Sequence, residues 1–198
     1  DPEFDILRDE IAARAKPRTE ATAFAADPIL KGFRDLHEKV GRSNKRFPSS
    51  PDALLNLLAR KSLIPRINLL VDIYNCVSID THLALGAHDL DHVEGGISLR
   101  ITDGTERFVP LGATEPEPAP AGEYSYVDDG NEILCRMEYK QVEKTKVGLS
   151  TKDCFYIIQG NAGSPPDLLR AAMDALVSVT RRFCGGDVGE VWEELKGT

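Results

Sequence analysis

The stretch GAHDLDHVEGGISLR, residues 86–100, contains the point at which the sequence changes from helical to strand periodicity. Upstream of it, apolar residues recur at the spacing of three and four that helices require. After Gly95–Gly96, Ile97, Leu99 and Ile101 alternate with polar residues, which predicts a strand that buries these three side chains. The order of helices, then strands, then one helix predicts an α+β fold, with a mainly antiparallel or mixed sheet flanked by helices.

Local signals place the ends of several elements. Asp27 followed by Pro28 predicts a helix start, Ser50 or Asp52 is expected to cap a second helix, and Gly185 ends the last helix. The polar segment 86–91 is typical of a turn. Further strands are predicted at Glu106–Val109, Glu123–Val127, Glu132–Glu138 and Cys154–Gln159.

The chain of 198 residues is long enough to bury one substantial core. We expect residues 1–4 (DPEF) to be a cloning remnant, residues 5–62 to form a helical N-terminal extension, and residues 63–198 to form the main domain with its C-terminal helix. No apolar run reaches the roughly 20 residues that span a bilayer, and the N-terminus does not resemble a secretory signal. The four cysteines lack the spacing of a zinc or redox motif. These features predict a cytoplasmic protein that needs no membrane, metal or cofactor.

Charge is unevenly distributed along the chain. The net charge of -8 argues against a general nucleic-acid binder, and no DNA partner is expected. Residues 42–66, however, carry six basic side chains against one acidic side chain. This segment is either a solvated face or a patch that binds phosphate groups. Nothing in the sequence indicates an oligomeric state.

Two groups of polar residues are candidates for a site. His88, Asp89 and Asp91 could transfer protons or bind a metal, or they could simply stabilise a turn. Asn68, Asp72 and Asn75 share one edge of a predicted helix, where they could face a substrate or hold a neighbouring loop. The segment 136–146 is read as a solvated edge. The absence of a phosphate-binding glycine loop and of a GxSxG motif excludes the commonest nucleotide-binding and serine-hydrolase sites.

Four motifs in order resemble a known family. They are INLLVDIYN (67–75), HDLD (88–91), VEGGISLR (93–100) and STKDCFYIIQG (150–160). Together they resemble the B3/B4 domain, the editing module of the bacterial phenylalanyl-tRNA synthetase beta subunit, over about residues 63–160. The stretches RFPSSP, PLGATEPEP and TKVGLSTK resemble free-standing relatives of that module.

The resemblance implies a free-standing aminoacyl-tRNA deacylase, which would hydrolyse the ester of mischarged tRNA in trans. The implied catalytic residues are His88, Asp91 and Glu143. The implied substrate-binding residues are Asn68, Asp72, Asn75, Asp89, Arg100 and Thr145. The residues expected to contact the acceptor end of tRNA are Arg42, Lys45, Arg46 and Arg66. The helix that bears Asn75 and the segment that bears His88 must then converge on one cavity.

The sequence departs from the family pattern in one loop. The synthetase has a glycine-rich loop that ends in a Glu recognising the tyrosine hydroxyl, whereas this chain has CRMEYKQVEKT (135–145), in which Glu143 is the only plausible counterpart. Met137, Tyr139 and Lys140 should narrow the pocket, so we expect a different and smaller side chain than tyrosine. A non-catalytic tRNA- or RNA-binding module, and an enzyme acting on a small molecule, are the two alternatives.

Overall fold

Helices begin and end at residues whose chemistry favours helix termini. The Asp27 side chain accepts hydrogen bonds from the N–H groups of Ile29 and Leu30, both at 3.0 Å, which confirms the predicted start. The second predicted helix is capped by Ser49, one residue before the expected position. In the computed structural model, which describes residues 1–189, the helices are α1 Pro2–Ala15, α2 Ala21–Ala26, α3 Pro28–Lys39, α4 Ser50–Lys61, α5 Leu69–Thr81 and α6 Pro166–Cys184.

The strands form two antiparallel sheets, which confirms the α+β fold class. The strands are β1 Ala84–Asp89, β2 Ile97–Ile101, β3 Tyr124–Asp128, β4 Ile133–Arg136, β5 Lys140–Gln141 and β6 Cys154–Gln159. β1 pairs with β6, and the other four pair in the order β2-β3-β4-β5. The first pair packs with α5 and α6 on the main core, and a smaller core lies on one face of the four-stranded sheet.

The predicted orientation of β2 is wrong. Ile97, Leu99 and Ile101 are 37%, 53% and 59% exposed, respectively. β2 is an edge strand, and on its opposite face Ser98 is also exposed, while Arg100 is partly buried and pairs with Glu106. Alternation identified the strand correctly, but neither face of β2 carries a fully buried side chain.

Three other predictions about strands need correction. The segment predicted as a turn at 86–91 continues as a strand to Asp89, and β1 is buried along its whole length. The predicted strand Glu106–Val109 is absent, since only isolated bridges form at Arg107 and Pro110. The strand predicted to reach Glu138 ends at Arg136, because Met137 adopts a left-handed φ of 50°.

The N-terminal helices share the main core with the rest of the chain. Phe33 of α3 and Leu55 of α4 are completely buried in the same apolar cluster as Ile73 of α5. Residues 1–4 also belong to this body: Asp1 caps α1, and Phe4 packs edge-to-face against Phe183 at 5.3 Å. Their origin as a cloning remnant and the boundary at residue 62 stay predictions, and residues 190–198 of the predicted main domain lie outside the described residues.

Candidate active site

A cavity of about 380 Å³ lies between α4, α5, the β1–β6 pair and the β4–β5 turn. Its walls are mostly apolar and include Leu54, Leu57, Val71, Leu85, Ile157 and the tyrosines Tyr74, Tyr126 and Tyr139. The polar lining groups include Asn75, His88 and Glu138. Apolar walls with a few converging polar groups are typical of a small-ligand site.

The cavity is lined by both residues whose convergence the resemblance requires. Asn75 comes from the middle of α5 and is 6% exposed, and His88 comes from β1 and is 1% exposed. Of the bulky residues expected to narrow this space, Tyr139 and Lys140 line the cavity, whereas Met137 is completely buried and is not a lining residue. The cavity therefore stays open beside Asn75 and His88.

His88 is held by one nitrogen and leaves the other unused. Its Nδ1 lies 2.7 Å from the hydroxyl of Thr145, and its ring stacks on Phe155 with a centroid distance of 5.2 Å. Segment 142–147 runs beside β1, where the Asp89 N–H donates to the Thr145 carbonyl at 2.9 Å, and this places the Thr145 hydroxyl. The buried Nε2 has no hydrogen-bond partner among the described residues.

Burial determines the charge of His88. Desolvation lowers the pKa of His88 to about 4, so the ring is neutral at physiological pH. A neutral imidazole carries one N–H and one acceptor nitrogen. If Nδ1–H donates to the Thr145 hydroxyl, Nε2 is left as a hydrogen-bond acceptor for a molecule in the cavity.

Only one of the three polar residues on the α5 edge lines the cavity. Asn68 caps the helix by accepting from the Val71 N–H at 3.0 Å, and its amide donates to the Val147 carbonyl at 3.3 Å. Asp72 accepts from the Ile67 N–H at 2.8 Å, and burial raises the pKa of its carboxyl. Both side chains serve the local structure, whereas Asn75 lies in the cavity wall.

The acidic residues around β1 do not line the cavity. Asp91 is exposed on a short 3-10 turn. Asp89 accepts from the Thr151 hydroxyl at 2.6 Å and from the Asp91 N–H at 3.1 Å. The hydrogen bond from Thr151 lowers the pKa of Asp89, so this carboxylate anchors the loop that contains Thr151.

Two further predicted site residues also lie elsewhere. Arg100 forms an ion pair with Glu106 and donates to the Asn131 side chain at 2.7 Å, on the face of the four-stranded sheet opposite its exposed apolar residues. Glu143 accepts from the Gly112 N–H at 2.8 Å and pairs with Lys146. Neither side chain lines the cavity, so their predicted contacts with substrate find no support in the geometry.

Glu138 is the polar lining residue that sequence reasoning missed. It was assigned to a solvated edge, but it is 4% exposed. One carboxylate oxygen lies 2.5 Å from His37 Nε2, and the other accepts from the Tyr124 hydroxyl at 2.6 Å and from the Gln159 amide at 3.2 Å. No local pattern indicates this arrangement, because its members come from α3, β3, β6 and the β4–β5 turn.

The predicted tRNA-binding residues have different environments. Arg42 pairs with Glu123, which is completely buried and also binds Arg136. Burial would raise the pKa of Glu123, but the two arginines outweigh it, so the pKa is lowered. Arg42 thus connects the segment after α3 to the four-stranded sheet.

Lys45 and Arg46 are exposed near the cavity. Arg46 lies over the Phe47 ring, 5.3 Å from its centroid, and Phe47 packs edge-to-face on Tyr139 at 5.2 Å. Tyr139 lines the cavity, and so does the partly exposed Lys140. Arg66 lies between Pro65 and Ile67, which both line the cavity, and its side chain is 3.3 Å from Asp5.

Residues 1–189 contain neither a cluster of metal-binding side chains nor a helix that could span a membrane. No group of three or more His, Cys, Asp or Glu side chains there is arranged to hold a metal ion. None of the helices in that part is both long and apolar enough to cross a membrane.

Comparison with known proteins identifies a family and a similar solved structure. Residues 34–185 match the family model described as B3/4 domain. The chain is also similar to an N-terminal fragment of the phenylalanyl-tRNA synthetase beta-subunit from Pyrococcus horikoshii, with 17% identity and a TM-score of 0.48. That similarity covers 58% of this chain and 41% of the fragment, so the chain spans about two-fifths of the fragment's length. The comparison with curated proteins finds no match.

Proposed function

Because the chain belongs to the B3/4 domain family, which confirms the resemblance seen in its motifs, we propose that it is an aminoacyl-tRNA deacylase. It would act in trans, in the cytoplasm, on tRNA that carries the wrong amino acid. The reaction is hydrolysis: water adds to the ester carbonyl, the bond to the ribose oxygen breaks, and a free amino acid and an uncharged tRNA result.

The observation that carries this proposal is the unpartnered Nε2 of His88 in the wall of an apolar cavity. A buried ring nitrogen without a partner loses its hydration on folding, and such groups are rare unless a ligand or water completes them. A water molecule hydrogen-bonded to Nε2 would be positioned for attack on an ester bound in the cavity. Asn75, from the facing helix, could donate its amide to the ester carbonyl oxygen.

The low basicity of His88 limits what it can contribute. A group with a pKa of about 4 is a weak proton acceptor at neutral pH, so His88 would orient the water more than it would remove a proton from it. An aminoacyl ester of ribose is already activated, and correct positioning can supply most of the remaining acceleration. The proton lost by the water would end on the departing ribose oxygen.

The tRNA would approach from the side of Lys45, Arg46 and Lys140. Arg46 reaches the cavity wall through Phe47 and Tyr139, so this group can contact the last phosphates while the terminal adenosine enters. The predicted set changes accordingly: Arg42 is engaged with a buried carboxylate and is no longer assigned to tRNA. Contacts through so few cations predict weak and salt-sensitive binding.

The test is a deacylation assay on a panel of tRNAs, each mischarged with a different labelled amino acid. We expect the wild-type protein to release at least one amino acid, and we expect His88→Ala to reduce that rate by about tenfold or more. The matched control is His92→Ala, which removes an exposed histidine four residues away.

Each other outcome contradicts the proposal in a different way. Tight binding of tRNA without release of any amino acid would favour the non-catalytic RNA-binding alternative. Neither binding nor release would favour an enzyme that acts on a small molecule. Equal loss of activity in His88→Ala and His92→Ala would show that His88 has no specific role in catalysis.

A further inference from the structure

We propose that His37 of α3 neutralises Glu138 in the cavity wall and thereby restricts the cavity to an uncharged amino acid side chain. The inference rests on the proposed function, and it specifies which substrates that function would act on. It also gives the helical extension a part in specificity, with His37 as a positioning residue.

The first step is the position of the Glu138 carboxylate. Its main chain is fixed where the Ser50 N–H donates to the Glu138 carbonyl at 2.9 Å. One carboxylate oxygen lies 2.5 Å from His37 Nε2, and the other accepts hydrogen bonds from Tyr124 and Gln159. The carboxylate therefore has one position, determined by three other elements of the fold.

The second step concerns the proton between His37 and Glu138. The Nδ1 of His37 lies 2.8 Å from the Phe47 carbonyl oxygen, which can only accept, so Nδ1 carries a hydrogen. The Nε2 lies 2.5 Å from a Glu138 carboxylate oxygen, and although burial opposes it, this carboxylate raises the pKa of His37 and favours a second proton on the ring. The protonated His37 ring and the Glu138 carboxylate together carry no net charge. His37 is completely buried, so solvent does not replace it as a partner.

The third step is the charge of the remaining wall. His88 is neutral because burial lowers its pKa, and burial raises the pKa values of Tyr74 and Tyr126, which stay protonated. Lys140 is partly exposed, so solvent screens its charge, and it suits the phosphate of a terminal nucleotide. With Lys140 bound to that phosphate, a charged side chain entering this cavity would lose its hydration without gaining a counter-ion, whereas an uncharged side chain would not.

The experiment measures binding rather than hydrolysis. The probes are three adenosine analogues joined by a non-hydrolysable amide to leucine, lysine or glutamate, and calorimetry gives each Kd for the full chain. We expect the leucine analogue to bind at least about tenfold more tightly than either charged analogue, since burying an unpaired charge is costly. Equal or tighter binding of a charged analogue would overturn the inference.

Variants test the part played by His37. In His37→Leu, Glu138 loses its countercharge, so the ratio of lysine to leucine affinity should rise by about tenfold or more. The matched control is His37→Leu combined with Glu138→Leu, which removes both charges and should keep the preference for leucine. An unchanged ratio in a folded His37→Leu would overturn the inference. If His37→Leu does not fold, the double variant provides the test. Loss of the preference for leucine in the double variant would also overturn the inference.

A pH series gives a readout that a purely structural role would not change. Burial alone would lower the pKa of His37, but its hydrogen bond to Glu138 and that carboxylate's charge outweigh burial, so the pKa is raised. The other groups that face His37 are Tyr124 and Asp52, and Asp52 is itself paired with Arg34 at 2.7 Å. Above the raised pKa, Glu138 loses its partner's charge, so the lysine analogue should gain affinity relative to the leucine analogue. A ratio that stays constant across this transition would contradict the assignment.

The inference and the proposed function fail separately. If wild-type protein binds the leucine analogue selectively but releases no amino acid from any tRNA, the deacylase proposal fails and the inference stands. If the protein deacylates lysyl or glutamyl esters as fast as leucyl esters, the deacylase proposal stands and the inference fails.

Discussion

Lowering the pH from 7.5 to 5.0 should destabilise the folded protein through His88. This histidine is 1% exposed, and burial lowers its pKa from 6.5 to about 4. In the unfolded chain, the same side chain has its ordinary pKa of about 6.5. Between these two values the unfolded state binds a proton that the folded state does not, so the free energy of unfolding falls as the pH falls.

The size of this effect follows from the two pKa values. The full difference of about 2.5 pKa units corresponds to roughly 3 kcal/mol, and it is complete only below the folded-state pKa. At pH 5.0 the unfolded state is almost fully protonated at this site and the folded state is mostly unprotonated. The loss between pH 7.5 and 5.0 is therefore about 2 kcal/mol.

A comparison with His88→Gln isolates this contribution. Urea denaturation at both pH values gives the free energy of unfolding of each protein, and the quantity of interest is the difference between their pH dependences. The rest of the sequence is identical in the two proteins, so the contributions of all other groups cancel. We expect the wild type to lose about 2 kcal/mol more than the variant.

One result would refute the reasoning. If the wild type and His88→Gln lose the same free energy of unfolding, the pKa of His88 is not lowered in the folded state, and the imidazole is not desolvated. A buried, neutral His88 would also keep its acceptor nitrogen from neutral pH down to about pH 5. We therefore expect the deacylation rate of the wild type to show no drop near pH 6.5. A drop there that is absent from His88→Gln would contradict this.

Three other predictions concern stability and tRNA binding. Arg42→Met should lower the free energy of unfolding by about 2 kcal/mol, because buried Glu123 loses one charged partner, and it should leave tRNA affinity unchanged in a filter-binding assay. Replacing both Lys45 and Arg46 with Ala should weaken tRNA binding and reduce the slope of log affinity against log salt concentration by roughly one to two. An unchanged slope would show that the two residues do not contact tRNA. Phe4→Ala should cost about 3 kcal/mol in thermal denaturation, since the ring is 2% exposed; no loss would mean that the first turn of α1 does not pack as described.

The helices were predictable because their signals are local. Asp27–Pro28 and Gly185 lie at the ends of the helices that they indicate. Strands were less predictable because alternation reveals a period but not which face is covered. β2 lies at the edge of its sheet and has no fully buried residue, so Ile97 and its apolar neighbours stay exposed despite the alternation. β1 has both faces buried, so it shows no alternation, and its polar end resembled a turn.

Some residues of the candidate site could also be predicted from the sequence, and others could not. His88 and Asn75 could be proposed from motifs, since each lies in a short stretch that resembles a known family. Asp91 belongs to the same motif as His88, but the chain turns after Asp89 and carries Asp91 to the surface. A motif gives the spacing of residues along the chain, and the direction of each side chain depends on where the strand ends.

The His37–Glu138 pair could not be predicted because its partners are distant in sequence and neither position is unusual by itself. Its location has a consequence for how the chain is divided. Residues 5–62 were predicted as an extension appended to a domain, yet His37 binds the cavity carboxylate, the Ser50 N–H binds the Glu138 carbonyl, and Arg42 binds Glu123. Removing the extension would expose part of the main core and leave two carboxylates without these partners. The helical segment is therefore part of the cavity wall, and the features that distinguish this cavity from others in its family should be sought in α3 as well as in the loop that carries Glu138.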